Sequence, residues 1–165
     1  MPRFPQPADG KGSLKAIQTL VNDYPDLLNG MIRAAWPKVA GMKWVSPCRS
    51  NDFAEYRDET FLEKVGAAGR LKRPLKDFWP PNGPQWDALG TADDGIVLLV
   101  EAKANIPEIA SRMNATSPAS AEKIRKSLQE VREYLSINSE AAWTESFYQY
   151  ANRVAHLYFL RAVNE

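Results

Sequence analysis

The sequence predicts an α/β domain in which helices flank a mixed central sheet that contains an antiparallel hairpin. Apolar residues recur at intervals of three and four in segments that begin near Ser13, Asp26 and Ser117, as is typical of helices packed on one face. Between residues 85 and 104, two apolar runs flank the turn-forming sequence Asp93-Asp94-Gly95, which indicates a hairpin. The length of 165 residues and the 44% apolar content suit one globular domain.

The N-terminal third predicts an arm followed by two helices. Residues 1–12 are rich in Pro and Gly, so we expect a flexible arm there and a single domain over residues 13–165. One helix should begin near Ser13 and end or kink at Pro25. The next should run from Asp26 to Trp36, and the pair should pack as an outer layer.

A third helix, helix A, is predicted to open at Asp52 and to continue to about Val65. Asp52 followed by Glu55 fits a capping box, in which the two side chains satisfy the first backbone N–H groups of a helix. On such a helix Glu55 and Glu59 share one face, and their like charges repel each other. A bound cation would relieve that repulsion, whereas the alternative is a solvated acidic face paired with Arg57.

The segment from Arg70 to Pro84 is expected to be an exposed loop, with at most a short strand near Leu75 to Phe78. It contains four prolines and four basic residues, and it is the best candidate in the sequence for a basic patch. The basic residues are Arg70, Lys72, Arg73 and Lys76.

The hairpin strands are predicted over Gln85–Leu89 and Ile96–Ala104. The second is apolar on both alternating faces as far as Val100, which is typical of a central strand covered on both sides. Glu101 and Lys103 follow and project from the same face. Charges at the end of a buried strand are costly without partners, so we expect a partner nearby.

The geometry of the turn predicts that Asp87 lies close to these two charged residues. A two-residue turn centred on Asp93 and Asp94 places Asp87 opposite Val100, and a shift of the turn by one residue places it opposite Ala102. In either register Asp87 lies within one position of Glu101, close enough for both carboxylates to share one cation.

Two further helices are predicted near the C-terminus. The first, capped by Ser117, runs to about Leu135. The second runs from about Trp143 to Leu160 and is apolar on nearly all sides, so it should be buried. Alternatively, the first is a crossover helix and part of His156–Val163 is extended. The second helix carries one polar stripe: Glu145, Gln149, Asn152 and His156.

Composition excludes several classes of site. The single cysteine rules out an internal disulfide and a cysteine-rich zinc site, and the single histidine cannot pair with another. The 21 Lys and Arg nearly balance the 20 Asp and Glu, so the chain lacks the large positive net charge of a histone-like nucleic-acid binder. The N-terminus predicts neither a signal peptide nor a membrane anchor, and we expect a cytoplasmic protein without a membrane partner. Any metal site would have to use carboxylates.

Two carboxylates with a neighbouring ammonium suit metal-assisted phosphodiester hydrolysis. Trp86-Asp87-Ala88-Leu89-Gly90, a turn and an apolar strand ending in Glu101-Ala102-Lys103 resemble the signature of the PD-(D/E)XK, or restriction-endonuclease-like, superfamily. The sequence departs from that signature in having Trp86 where the motif has proline. The resemblance implies a restriction-endonuclease-like core.

The resemblance also implies roles for individual residues. Asp87 and Glu101 would bind Mg²⁺, or Mn²⁺ as a substitute, and Lys103 would position the attacking water. Glu59 or Glu55 would complete the metal shell, and Gln149 would orient the substrate. Nucleic acid, in particular DNA, is the implied partner. The sequence leaves the oligomeric state open, with a homodimer as one alternative. The core of the family has a further strand after its second helix, whereas this sequence stops at Glu165, immediately after the last predicted helix, so a truncated chain is one interpretation.

Other interpretations of the same residues remain open. Asp87 could cap the turn while Glu101 and Lys103 form ordinary salt bridges at a sheet edge. The polar stripe could be a hydrogen-bonded network with no role in catalysis. For the whole chain, the alternatives are a catalytically inactive module with the nuclease fold, which binds nucleic acid or protein, and a small-molecule hydrolase that uses the same carboxylates.

Overall fold

A computed structural model describes residues 3–138 and 142–164, which contain helices and a small antiparallel sheet. The single domain predicted over residues 13–165 comprises two compact units. The first unit contains Met1–Ala68 and Gln85–Ala104, and the second contains Gly69–Pro84 and Asn105–Glu165. Each helix in the described part of the chain is too short or too polar to cross a lipid bilayer.

Two helices open the first unit, as predicted. Helix α1 spans Gly12–Asp23 and helix α2 spans Pro25–Ala35. Pro25 cannot continue a preceding helix, but it is well suited to the first position of a new one. Residues 3–10, expected to form the arm, include Phe4, whose backbone pairs with that of Glu55.

The sheet contains three strands in the order β1-β2-β3: Lys43–Ser46, Ala88–Thr91 and Val97–Val100. Both pairings are antiparallel, so the predicted hairpin is confirmed and the predicted mixed sheet is wrong. The prediction of a central β3 is also wrong, because β2 lies in the middle of the strands that the structure describes. An apolar residue at every position does not require a central strand: Leu98 is buried, while Val97, Leu99 and Val100 of the edge strand β3 are half-buried.

One face of the sheet packs against the first two helices. Ala88 joins a core cluster with Ile17 and Val21 of α1 and Leu28 of α2. Val100 and Ala102 pack against this cluster, so this side of the hairpin faces the helices. Since side chains alternate along a strand, positions 87, 99, 101 and 103 fall on the opposite face.

The hairpin register lies between the two predicted registers. Ala88 pairs with Val100, so one further step in the same register sets Asp87 opposite Glu101. The turn has three residues, Asp93–Gly95, and the Ala92 N–H donates to the Ile96 carbonyl at 2.8 Å. Each predicted two-residue turn therefore missed the register by one position.

The prediction of helix A is wrong in its first half. Helix α3 spans Asp58–Lys64, whereas Glu55 and Tyr56 are extended and form bridges with Phe4 and Trp86. Asp52 adopts a left-handed backbone conformation, with φ of 50°, instead of the extended conformation of a helix N-cap. Glu55 and Glu59 consequently do not share a helix face.

The second unit is mainly helical. Helix α4 spans Leu75–Phe78, where a short strand was predicted. Helix α5 spans Pro118–Tyr134, and the Ser117 side chain accepts from the Ser120 N–H, which confirms the predicted cap. Helix α6 spans Tyr148–Tyr158 and continues as a π-helical turn, Phe159–Val163, so the extended alternative there is wrong. This last helix begins later than predicted because a bridge pairs Phe147 with Ser111.

Glycine is favoured where the chain enters β1. Gly41 has a φ of +58°, and a Cβ at this position would overlap the Asp93 carboxylate. We expect Gly41→Ala to lower the free energy of unfolding by about 2 kcal/mol, because it combines left-handed strain with displacement of Asp93. Urea denaturation would measure this loss.

Substitutions at two other glycines separate the effect of backbone strain from the effect of the Asp93 contact. Gly66 has a φ of +69° but open space around it, and Gly69 has open space and an ordinary φ. Gly66→Ala should cost about 1 kcal/mol from backbone strain alone, and Gly69→Ala should have little effect. A loss for Gly41→Ala no larger than that for Gly66→Ala would contradict the proposed role of the Asp93 contact.

Candidate active site

Asp87 lies between two buried anchors at the start of β2. Trp86 is buried and makes an edge contact with Phe61, with ring centroids 5.5 Å apart, and Ala88 is fully buried. These anchors fix the backbone on both sides of Asp87. Asp87 Oδ2 accepts a 2.7 Å hydrogen bond from the backbone N–H of Ala102, so its carboxylate reaches the residue between Glu101 and Lys103.

Glu101 and Lys103 lie directly after β3 and form an ion pair between the Lys103 Nζ and a Glu101 carboxylate oxygen. The side chains are 16% and 26% exposed, respectively. The site therefore combines two carboxylates and one ammonium on one face of the hairpin, open to solvent on one side.

Glu55 is a third acidic residue on this face. It is 4% exposed, and its Oε2 accepts hydrogen bonds from the side-chain amides of Gln6 at 3.1 Å and Gln85 at 2.6 Å. Tyr56 pairs with Trp86 in an antiparallel bridge, so the same register sets Glu55 opposite Asp87. By register, Glu55, Asp87 and Glu101 form a row across three extended segments.

Neither Gln6 nor Gln85 was predicted from the sequence. They lie 49 and 30 residues from Glu55 along the chain, and a glutamine carries no local pattern that would mark it as a partner of a buried carboxylate. Charged or polar groups are retained inside proteins when hydrogen bonds satisfy them. Pairing of the N-terminal arm with the segment at residue 55 would have indicated Gln6 as a partner of Glu55, but the sequence contains no local pattern that predicts this pairing.

One predicted residue of the first unit, Glu59, does not join this row. Glu59 is exposed in the first turn of α3. Gln149 belongs to the second unit, where its backbone N–H donates to the Ser111 hydroxyl at 2.8 Å. Its predicted role in orienting a substrate stays a prediction.

The donor set suits a weakly held, hard cation. Among residues 3–138 and 142–164, no three Asp, Glu, His or Cys side chains are close enough together to hold a metal ion. Mg²⁺ commonly uses only one or two protein carboxylates and fills its remaining positions with water and substrate phosphate. Asp87 and Glu101 fit that mode, whereas a metal that requires a full set of protein ligands would not fit.

Three residues of the predicted polar stripe, Gln149, Asn152 and His156, lie on α6, whereas Glu145 precedes this helix. Asn152 and His156 are buried, and His156 Nδ1 lies 2.8 Å from the Asn152 carbonyl. Because a carbonyl only accepts, Nδ1 carries the proton. Burial lowers the pKa of His156 to about 4, and the Arg153 charge acts in the same direction. A neutral, hydrogen-bonded His156 favours the interpretation of this part of the stripe as a structural network.

The second unit is basic. Its residues include eleven Lys and Arg and eight Asp and Glu, a net charge of +3. Arg70, Lys72 and Lys76 of the predicted basic patch are exposed. Arg73 Nη1 instead donates to both carboxylate oxygens of Glu130, at 2.8 and 3.0 Å, so this guanidinium is held within the second unit.

Glu130 connects Arg73 to the end of α6. The Tyr158 hydroxyl donates to Glu130 Oε1 at 2.9 Å. Burial, and then the hydrogen bond to Glu130, raise the pKa of Tyr158 to about 12. This arrangement links α5 and α6 within the second unit.

The chain matches no protein-family model, no curated protein and no solved structure.

Proposed function

We propose that the protein is a Mg²⁺-dependent nuclease of the PD-(D/E)XK type. The observation that supports this best is the hydrogen bond from Ala102 N–H to the Asp87 carboxylate. It joins the Asp of one hairpin strand to the Glu-Ala-Lys segment that follows the other, the combination on which the resemblance rests.

Each residue of this site has a distinct proposed role. Asp87 and Glu101 supply oxygen ligands for the cation, and the main-chain bond from Ala102 fixes the orientation of Asp87. Mg²⁺, when bound, would neutralise charge on the scissile phosphate. The Lys103 ammonium, restrained by Glu101, would orient the attacking water and stabilise charge that develops on the phosphate oxygens.

Glu55 is proposed to extend the site as its third carboxylate. The Gln6 and Gln85 amides both bond to Oε2, so they hold the side chain in one rotamer. A carboxylate fixed in this way could bind a water molecule of the cation's shell. Glu59, exposed on α3, is the weaker candidate for this role.

DNA is the proposed substrate, and the second unit offers a surface for it. Lys and Arg contacts to phosphates provide most of the sequence-independent affinity of proteins for DNA, and this affinity falls steeply with salt. The net charge of +3 and the exposed Arg70, Lys72 and Lys76 suit such contacts.

A plasmid-nicking assay tests the proposal. Purified protein should convert supercoiled plasmid to open circles with Mg²⁺ or Mn²⁺ and should be inactive with EDTA. Glu101→Gln should be inactive, although the amide oxygen can still accept from Lys103. Glu63→Gln, an exposed carboxylate-to-amide change on α3, is the matched control and should cleave like the wild type.

The outcomes of this assay are decisive. Equal cleavage by the wild type and Glu101→Gln would place the activity elsewhere or reveal a contaminant. A wild-type protein that neither cleaves DNA nor binds Mg²⁺ would overturn the proposal.

A non-catalytic module with the same fold is the second candidate. The observation that favours it is the ion pair between Lys103 and Glu101, which neutralises one carboxylate without a metal. This alternative predicts DNA binding that Mg²⁺ does not strengthen relative to EDTA, with no cleavage. Fluorescence anisotropy of a labelled duplex under both conditions would distinguish the two candidates.

A further inference from the structure

Helix α2 has an apolar outer face that the fold of the first unit does not use. Leu27 and Met31 are one turn apart, and each is 57% exposed. The inner face of the helix already contributes Leu28 to the core cluster. Exposed apolar side chains in a row on one helix mark interaction surfaces more often than isolated ones do.

The outer face alternates large and small residues. The helical period places Leu27, Gly30, Met31 and Ala34 on the same side. A Cβ at Gly30 would meet nothing within 4 Å, so this position is an open depression between two larger side chains. We propose that this face binds the α2 helix of a second copy of the chain, antiparallel and about a two-fold axis.

The two-fold arrangement fits the shape of the face. With the axis between positions 30 and 31, Leu27 of one copy lies opposite Ala34 of the other, and Met31 lies opposite Gly30. Each large side chain then meets a small one, and the two helices approach closely. The contact is isologous, so it closes at two subunits.

The charges beside this face also fit a second copy. Asp26, in the first turn, and Arg33, in the last turn, are both exposed and are seven residues apart, so they lie on the same flank of the helix. In an antiparallel pair, equivalent flanks face each other, which brings Asp26 of each copy near Arg33 of the other. A parallel pair would place this flank against the opposite, uncharged one and lose both contacts.

The size of the face predicts a weak dimer. Helix α2 contains 11 residues and is therefore about 16 Å long. A single helix pair of that length is at the low end of specific interfaces, so we expect a dissociation constant in the micromolar range. Dimerisation through α2 does not require the proposed nuclease activity.

Sedimentation velocity from about 1 to 200 µM protein would test the interface across that range. The wild type should shift from monomer to dimer. The double variant Leu27→Lys/Met31→Lys should remain monomeric, because it places charged ammonium groups in the apolar contact. Both side chains are already exposed, so the change should not affect folding. Leu157→Lys, at a position of α6 that is 54% exposed, is the matched control and should dimerise normally.

A charge exchange tests the orientation. Asp26→Arg and Arg33→Asp should each raise the dissociation constant by at least about fivefold, since each places like charges together twice. The variant with both changes should recover to within about twofold, with helicity checked by circular dichroism in all three proteins.

Three results would overturn the proposal. The first is a wild-type protein that stays monomeric over the whole concentration range, whether or not it binds anionic phosphatidylserine vesicles. The second is a dimer that survives the double lysine variant. The third is a charge-exchanged protein of normal helicity that fails to recover its dimerisation, which would exclude the antiparallel geometry.

Discussion

Asp87→Asn is expected to abolish Mg²⁺-dependent cleavage while leaving the protein folded. The asparagine side-chain oxygen can still accept the hydrogen bond from Ala102 N–H, so the link between the hairpin strands is retained. What is lost is the negative charge that a hard cation requires. We expect cleavage to fall by at least about 10²-fold, and calorimetric titration should show the loss of Mg²⁺ binding.

Asp87→Ala provides the comparison. It removes both the charge and the acceptor for Ala102 N–H, so it should lose activity and also about 1 to 2 kcal/mol of the free energy of unfolding. If Asp87 served only to hold the hairpin together, Asp87→Asn would retain full activity and Asp87→Ala would lose it. That pattern would contradict a metal-binding role.

Acidification is expected to destabilise the protein through His156. Its pKa in the folded protein is lowered from 6.5 to about 4 by burial. As pH falls below 6.5, the unfolded chain binds a proton that the folded chain does not, so stability falls by about 1.4 kcal/mol per pH unit. The loss should reach about 2 kcal/mol near pH 5 and level off at about 3 kcal/mol below pH 4.

Urea denaturation at several pH values between 7 and 5 would measure this slope. The chain has one histidine, so the slope above pH 5 is largely attributable to His156. His156→Gln should be less stable at pH 7, because it disturbs a buried site, but its stability should change much less between pH 6.5 and pH 5. A variant that retains the full slope would show that another group is responsible.

The candidate site shows how far hairpin geometry could be predicted from the sequence. The apolar runs and the Asp93-Asp94-Gly95 turn were sufficient to bring Asp87 within one position of Glu101. They were insufficient to choose the register, because that depends on whether the turn contains two or three residues. The observed turn has three, Asp93–Gly95, and this sets Asp87 opposite Glu101.

Glu55 was predicted as a site residue on a wrong structural basis. The capping-box pattern at Asp52 suggested a helix, but residues 55 and 56 pair with Phe4 and Trp86 instead. Pairing with distant segments outweighed a local helix signal, as it commonly does for short elements. The side chain nevertheless lies, by register, next to Asp87.

The sequence by itself determined the elements that depend on neighbouring residues: α1 and α2 separated at Pro25, the Ser117 cap of α5, and the antiparallel hairpin. Interactions within about four residues decide such features. Only the tertiary structure decided that β3 lies at an edge of the described sheet, that Gln6 and Gln85 hold Glu55, and that α2 leaves an apolar face exposed. Those features depend on contacts between residues far apart in the chain, and a local pattern contains no record of which distant segment will supply them.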